Sequence, residues 1–360
     1  MRRTSKCRYV ACTIAIIVLT LTSVVGQGLA QELVARGRFI PGEVWPDTSG
    51  DSIQAHGGAV IFRDGTYYWY GEDRSSWQTS VSCYSSTDLY NWKHEGVVFA
   101  QDSLPEAIRS ATFIERPKVI YNAQTGKYVL WAHLEQRGYH FAHAGIAISD
   151  TPAGPFTYVD HMRPVQYDFG YPEDDADRQA QFGGTYRDMN LFVDDDGKAY
   201  AFYASEGNWT LYIVRLNDAY TGPEMPMVKG QTWDRVLVRE MREAPAPFKY
   251  QGRYYLVTSG CTGWTPNAAD YAMADNILGP YEMQGNLCVG PEAELTFRTQ
   301  STCVLPVAGR EDCFIYMGDR WNPRRLSDSR YIWLPFRIEG DGRFTIAWLD
   351  EWDLSSFDAL

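Results

Sequence analysis

Five times along this chain a short turn ending in or near glycine leads into an aromatic-rich strand: DGTYYWYGE at Asp64, TGKYVLWAH at Thr125, DGKAYAFYA at Asp196, QGRYYLVTS at Gln251 and the more degenerate GREDCFIYMGD at Gly309. Glycine supplies the positive φ that tight hairpins demand, so each string reads as a hairpin. With Gly65, Gly126, Gly197, Gly252 and Gly309 as markers, His56, Asp188, Glu243 and Gln300 lie nine residues upstream, and Glu115 lies eleven upstream across a longer turn. Equivalent units would place these five side chains equivalently, and a closed ring of such units would aim them at one point.

A second landmark keeps register with the first. Asp88, Asp150, Asp218 and Asp275 lie 23, 24, 21 and 23 residues after the first four glycines, and the last three precede Gly-Pro by the same four-residue step. Asp and Gly-Pro initiate turns, so each unit reads as four strands joined by tight connections. The segments between, such as Gly145 to Ser149 and Leu211 to Leu216, are apolar and too short for helices. The markers are spaced 61, 71, 55 and 57 residues apart. Five units of four strands predict an all-β fold, a five-bladed β-propeller in a single domain. The polar stretch from His161 to Thr185, with PEDDAD at Pro172, reads as a loop inserted over one blade.

The first thirty residues stand apart. Arg2, Arg3, Lys6 and Arg8 precede an apolar run from Val10 to Val25 and small residues near Gly28 and Ala30, the pattern of a secretory signal peptide cleaved after Ala30. Residues 31–360 form the mature domain, and a secreted or periplasmic location follows. Cleavage removes four positive charges and takes the net charge from −12 to −16, which argues against nucleic acid or an anionic membrane as partner. Five cysteines remain, Cys83, Cys261, Cys288, Cys303 and Cys313, so at least one thiol is unpaired; Cys303 and Cys313 flank the fifth turn and could face each other across strands. Neither these spacings nor His140 and His143 match a metal-ligand pattern, and no metal or cofactor is expected.

A pocket that gathers Glu115, Asp188, Glu243 and Gln300 has the groups for glycosidic bond cleavage. That reaction needs one carboxylic acid to protonate the departing oxygen and a second group to activate water. Carboxylates crowded together raise one another's pKa values, so one of them can stay protonated near neutral pH. Glu243 stands in REAPAPFKY, where Pro245 and Pro247 stiffen the strand entry, and Arg187 precedes Asp188 as its expected charge partner. Glu72, Tyr139, Asn208, Thr262, Trp264, Asp319 and Trp321 follow second strands or lie in their loops, where they could reach sugar hydroxyls or stack on a sugar face, and His56 on the first inner strand is expected to contact the sugar with them.

The strings QAHGG, YYWYGE, ERPKVIYN, RDMNLFVDDDGKAY, REAPAPFK, SGCTGWTPN, TQSTCVLP and MGDRWNP resemble glycoside hydrolase family 43, in the subgroup that contains exo-β-1,3-galactanases, over nearly the whole mature chain. The resemblance implies a five-bladed propeller and a single-step inverting hydrolysis of a polysaccharide or oligosaccharide. It implies Glu243 as general acid, Asp188 as the residue that tunes and orients it, and Glu115 as a contact to the terminal sugar that helps the water side. Most of the wider family carries an Asp base on the first inner strand. Here that stretch is IQAHGGAV, with His56 and no acid. Gln300 then falls where it could position the attacking water, sharing its activation with Glu115. Within the wider family, α-L-arabinofuranosidase, β-xylosidase or galactofuranosidase are the alternatives, and a non-catalytic sugar-binding propeller is a further one.

Overall fold

The computed structural model describes residues 35–76, 79–109, 112–165 and 183–359. The expected signal peptide and the PEDDAD stretch lie outside the described residues. Five antiparallel sheets follow one another along the chain, each a meander whose strands pair in sequence order. The first holds β1 (His56–Arg63), β2 (Thr66–Asp73), β3 (Ser80–Ser86) and β4 (Lys93–Ala100), and the second β5 (Thr112–Asn122), β6 (Lys127–Gln136), β7 (His143–Ser149) and β8 (Thr157–Met162). The third holds β9 (Arg187–Val193), β10 (Ala199–Ser205), β11 (Thr210–Arg215) and β12 (Trp233–Val236), and the fourth β13 (Arg242–Tyr250), β14 (Arg253–Gly260), β15 (Asp270–Ala274) and β16 (Glu282–Asn286). After the short β17 (Cys288–Val289) come β18 (Gln300–Pro306), β19 (Cys313–Arg320) and β20 (Arg330–Arg337) of the fifth sheet, then β21 (Ile346–Ala347), which pairs in parallel with β17. The first strands neighbour one another around a single axis, and β18 returns to β1. This is the expected five-bladed β-propeller, with three rather than four strands in the hydrogen-bonded sheet of the fifth blade.

The aromatic second strands explain why the blades close into a ring. Successive side chains on a strand point to opposite faces, and here both faces are buried, each against a different neighbour. Trp69 joins the core shared with the fifth blade while Tyr70 joins the core shared with the second. Leu130 and Trp131, Phe202 and Tyr203, and Leu256 and Tyr255 divide in the same way, and Ile315 and Tyr316 complete the circuit. Five hydrophobic clusters therefore fill the five junctions between blades. A Phe-sized side chain so buried contributes roughly 1.5–3 kcal/mol, which is why these strands are continuously apolar instead of alternating.

Both ends of the described chain meet the fifth blade. Gly42 N–H donates to the carbonyl of Tyr331 at 2.9 Å, Phe39 and Trp352 exchange two backbone hydrogen bonds, and the Trp352 indole donates to Trp333 O at 2.8 Å. Phe39 stacks on Trp352 with ring centroids 4.1 Å apart. Residues near the N-terminus of the propeller and its last turn thus cover the outer edge of β20, leaving fewer strand groups unpaired.

All five first strands carry a β-bulge at the same place. His56 pairs with Glu72 and Ala59 with Tyr70; Glu115 with His133 and Lys118 with Trp131; Glu243 with Ser259 and Ala246 with Val257; Gln300 with Asp319 and Cys303 with Met317. Each time three steps on the inner strand match two on its partner. In the third blade the same offset runs from Arg187 opposite Ala204 to Asn190 opposite Phe202. Four bulges contain a residue with positive φ: Gly57 (59°), Arg116 (47°), Asp188 (43°) and Ala244 (53°). A bulge of this kind bends the strand and re-aims its side chains.

The bulge register corrects one expectation. The position equivalent to His56, Glu115, Glu243 and Gln300 is filled by Arg187, and Asp188 sits one residue later, on the left-handed residue of the bulge. Counting back from a glycine assumes equal hairpins. The first and fourth hairpins have two residues between paired positions, whereas Val193 to Ala199 spans five.

Candidate active site

The upstream ends of the first strands surround a cavity of about 290 Å³. Its wall holds four carboxylates, Glu72, Glu115, Asp188 and Glu243, and three guanidinium groups, Arg74, Arg116 and Arg187. His133, Asn208 and Gln300 fill the spaces between, and Tyr139, Trp264 and Trp321 supply aromatic surface.

Glu243 lies just before the bulge of β13, where the unpaired residues tolerate Pro245 because no ladder hydrogen bond is required there. Glu243 is 7% exposed, and its carboxyl accepts from Asn208 Nδ2 at 2.9 Å on one oxygen and from Gln300 Nε2 at 2.9 Å on the other. Burial pushes the group up to about 8; the negative charge of Asp188 adds to the rise, while Arg116 and hydrogen bonds from Asn208 and Cys261 oppose it. The carboxyl is therefore mostly protonated at neutral pH and able to deliver a proton.

Arg116 organises the neighbourhood of Glu243. Its Nε stands 2.9 Å from Asp188 Oδ1, its Nη1 donates to Ser301 O at 3.2 Å, and its Nη2 donates to Gln300 Oε1. The charge partner of Asp188 is thus Arg116 from the neighbouring blade, and the expected partner Arg187 turns instead to Glu135. Trp321 Nε1 also donates to Gln300 Oε1 at 3.0 Å, and Gln300 Nε2 donates to Ser259 Oγ at 3.1 Å as well as to Glu243. Both donors and both acceptor sites of that amide are engaged by protein groups.

Glu115 faces the cavity from β5. Tyr139 donates its hydroxyl to Glu115 at 3.1 Å, Arg74 Nη2 lies 3.3 Å away, and His133 Nδ1 lies 3.4 Å from the second oxygen. Glu72 is 1% exposed, bound by Arg74 Nε at 2.6 Å and by the backbone N–H of Arg116 at 2.7 Å. It fixes the bulge and orients Arg74 toward Glu115.

Three residues expected to touch sugar do not line the cavity. His56 is fully buried and stacks on Tyr331 with centroids 4.9 Å apart; burial, helped by Arg74 and Arg330, pushes its imidazole down to about 3, so it is neutral. Asp319 is buried behind the wall, accepts from Gly57 N–H, and is pushed up to about 7 by burial against that bond and Arg116. Thr262 is exposed and donates to Thr265 O at 2.5 Å, tying its own loop. Cys303 pairs with Met317 rather than facing Cys313, and all five cysteines are free thiols.

The sequence reading also missed cavity residues. Arg74 and Gly263 carry no repeat signal, Arg116 is legible only as the neighbour of Glu115 in ERPKVIYN, and His133 shows only through strand pairing. A strand-by-strand alignment would have found His133, because it sits directly opposite Glu115 as Glu72 sits opposite His56.

Residues 54–325 match the profile of the family described as Glycosyl hydrolases family 43. Among solved structures, a family 43 β-1,3-galactosidase determined with galactodeoxynojirimycin is 41% identical, covers 88% of this chain and 100% of its own, and superposes with a TM-score of 0.79. An exo-β-1,3-galactanase from Clostridium thermocellum is 37% identical over 88% of this chain and 66% of its own, TM-score 0.77. A variant of the exo-β-1,3-galactanase from Phanerochaete chrysosporium with bound β-1,3-galactotriose is 32% identical over 89% and 68%, TM-score 0.75. A curated relative, a probable arabinan endo-1,5-α-L-arabinosidase B from Aspergillus fumigatus, is 27% identical over 173 residues, which is 47% of this chain and 43% of that protein. A five-bladed propeller and this match over most of the chain together place the protein in glycosyl hydrolases family 43.

Proposed function

We propose that this protein is a secreted, exo-acting, inverting hydrolase that releases galactose from β-1,3-galactan. Glu243 is the general acid: its carboxyl is held protonated by burial and by Asp188, and it passes its proton to the departing glycosidic oxygen. Asp188, pinned on Arg116, tunes and orients the acid. Glu115 acts on the water side, and Gln300 holds Glu243 and the Arg116 guanidinium in place. Trp264, 52% exposed and edge-on to Trp321 at 5.7 Å, offers a face to the sugar that leaves. A cavity of about 290 Å³ suits one hexose, which supports removal of terminal residues. The observation that carries the reading is Glu243 itself, a carboxylic acid raised to about 8 at the meeting point of the five blades. The neighbours at 32–41% identity, named for β-1,3-galactosidase or exo-β-1,3-galactanase activity, supply the sugar and the linkage.

Proton NMR of the first product released from β-1,3-galactan tests substrate, exo action and stereochemistry together. The expected product is the α-anomer of galactose, and the β-anomer appearing first would refute inversion. Glu243→Gln is expected to lose about 10²–10⁴-fold on galactan and far less on an aryl galactoside whose leaving group needs no proton. The curated arabinanase relative gives an arabinan arm a place in the same assay.

A further inference from the structure

Two ionisable side chains deep in the ring have no part in the chemistry described so far. Lys118 is 1% exposed and Asp319 3% exposed, and both close on the first bulge. Gly57 is the left-handed residue of that bulge, so its N–H and C=O have left the ladder between β1 and β2. Buried backbone groups of this kind need other partners. Asp319 Oδ2, from β19, accepts from Gly57 N–H, and Lys118 Nζ, from β5, donates to Gly57 O at 2.5 Å.

The second bulge is held in the same way. Arg116 N–H donates to Glu72 Oε1 at 2.7 Å, and Lys118 Nζ also reaches Arg116 O at 3.4 Å. One ammonium thus serves the carbonyls of both bulges, and a carboxylate serves each N–H. In the fourth and fifth blades neutral groups do comparable work: Ser301 Oγ donates to Ala244 O at 2.7 Å, and Asn190 Nδ2 donates to Pro245 O at 3.0 Å and to Thr302 O at 2.9 Å. The stronger, charge-assisted bonds gather where Arg116 is anchored. Gly57 packs directly on that residue, whose Cα lies 3.4 Å from where a Gly57 Cβ would stand.

Each ion is costly without the other. Burial pushes Lys118 down to about 7 and Arg116 adds to the fall, while Cys303, Glu72 and Asp319 oppose it. Burial pushes Asp319 up to about 7 and Glu72 adds to the rise, while Gly57 N–H, Arg116 and Lys118 oppose it. Cys303 faces Lys118 from β18 as a neutral thiol, pushed up to about 11 by burial. The phenols of Tyr316 and Tyr331, both raised by burial, face Asp319 from β19 and β20. Removing one member of such a pair leaves an uncompensated buried charge.

We propose that Lys118 and Asp319 are positioning residues that act as one charge pair across Gly57. Together they fix the first two bulges and so set the direction from which Arg116 presents its guanidinium to Asp188 and Gln300 beside Glu243. The effect on turnover rests on the reading of Glu243 as the acid.

Urea denaturation tests the pair without any substrate. In Lys118→Met the Asp319 carboxyl loses its cation, and its folded value moves further above the ordinary 3.8. Stability is then full below pH 3.8 and falls as pH rises through the folded value. Asparagine does not titrate. Asp319→Asn added to Lys118→Met is therefore expected to restore stability increasingly from pH 5 to pH 8, by up to about tenfold in the unfolding constant per pH unit. With Lys118 present the same substitution gains nothing more above about pH 7. An equal pH dependence in the two backgrounds overturns the pair.

Positioning is tested on whichever oligosaccharide of a galactan and arabinan panel the wild type cleaves fastest, so a wrong sugar leaves the test in force. Lys118→Met is expected to lower kcat about 10–10²-fold. The alkaline limb of kcat/KM moves to higher pH, because Arg116 drawn away from Asp188 leaves that carboxylate free to raise Glu243. A merely structural defect reduces the active fraction and leaves the limb in place. Lys118→Met with kcat within about threefold of wild type, or with a limb that is unmoved or displaced to lower pH, overturns the positioning role. A Glu243→Gln that keeps its rate sinks the acid reading instead and leaves the denaturation test standing. If Lys118→Met does not fold by circular dichroism, NMR of ¹³C-labelled lysine in Asp319→Asn decides the pair: the Lys118 midpoint is expected to move below about 7, and an unmoved midpoint overturns it.

Discussion

Asp188→Asn gives the most direct test of how the site holds its acid protonated. Asp188 occupies a left-handed backbone position, φ 43°, which asparagine tolerates, so the substitution changes charge and little else. Two effects follow, and both lower the Glu243 value from about 8. The like charge that disfavoured ionisation is removed. Arg116, which had been neutralised by Asp188 at 2.9 Å, is released to favour the carboxylate. Loss of one close charge amounts to about one to two units, or about 1.4–2.7 kcal/mol. The alkaline limb of kcat/KM therefore moves from near pH 8 to about pH 6–7. At pH 7 the protonated fraction falls from about nine-tenths to between about a half and a tenth, costing about two- to tenfold through protonation alone. At pH 5 that loss disappears. Any direct contact between Asp188 and sugar would lower the rate at every pH without moving the limb, so a complete pH profile separates the two. An unmoved limb, or one displaced to higher pH, refutes control of the Glu243 proton by the Asp188 and Arg116 charges.

Glu243→Gln also predicts a change in stability. The folded value of about 8 lies above the ordinary 4.5, so the folded state favours the proton. That contribution is complete below about pH 4.5 and is lost as pH rises through 8, when the wild type must ionise a buried group. Glutamine does not titrate, so the stability of Glu243→Gln relative to wild type, followed through Tm, rises from pH 5 to pH 9 by an amount on the order of a few kcal/mol; a difference that stays flat or falls across this range counts against burial as the cause. A Cβ added at Gly57, where φ is 59°, would stand 2.7 Å from Glu72 Oε1 and 3.2 Å from Arg116 Cγ, whereas one added at Gly65, φ 82°, meets nothing within 4 Å. Urea denaturation should show Gly57→Ala losing about 2–4 kcal/mol and Gly65→Ala about 1 kcal/mol, and equal losses would mean that the Glu72–Arg116 packing around the first bulge is not rigid.

Much of the site was legible because a ring of repeats converts sequence spacing into convergence. Glu115, Glu243 and Gln300 were placed by counting, and the bulge register bears out their equivalence. Asp188 reached the cavity for a different reason from the one the count supplied, since the longer third hairpin shifted the marker by one residue and gave the equivalent position to Arg187. His56 and Asp319 illustrate the opposite error. Their register is right, but aromatic packing on Tyr331 turns the imidazole away, and the Gly57 N–H holds the carboxylate behind the wall.

The number of blades follows from sequence alone, because each aromatic strand has two apolar faces and can satisfy them only between two neighbours. The same spacing also says which acids lie near the axis. How those acids are charged depends on contacts that exist only in the folded ring. Arg116 reaches Asp188 and Gln300 from another blade, Asn208 and Gln300 converge on Glu243, and His133 and Glu135 stand behind Glu115. Most of these contacts join residues tens to hundreds of positions apart, and the electrostatic interactions that set protonation fall off over a few ångströms of space, whatever the separation along the chain.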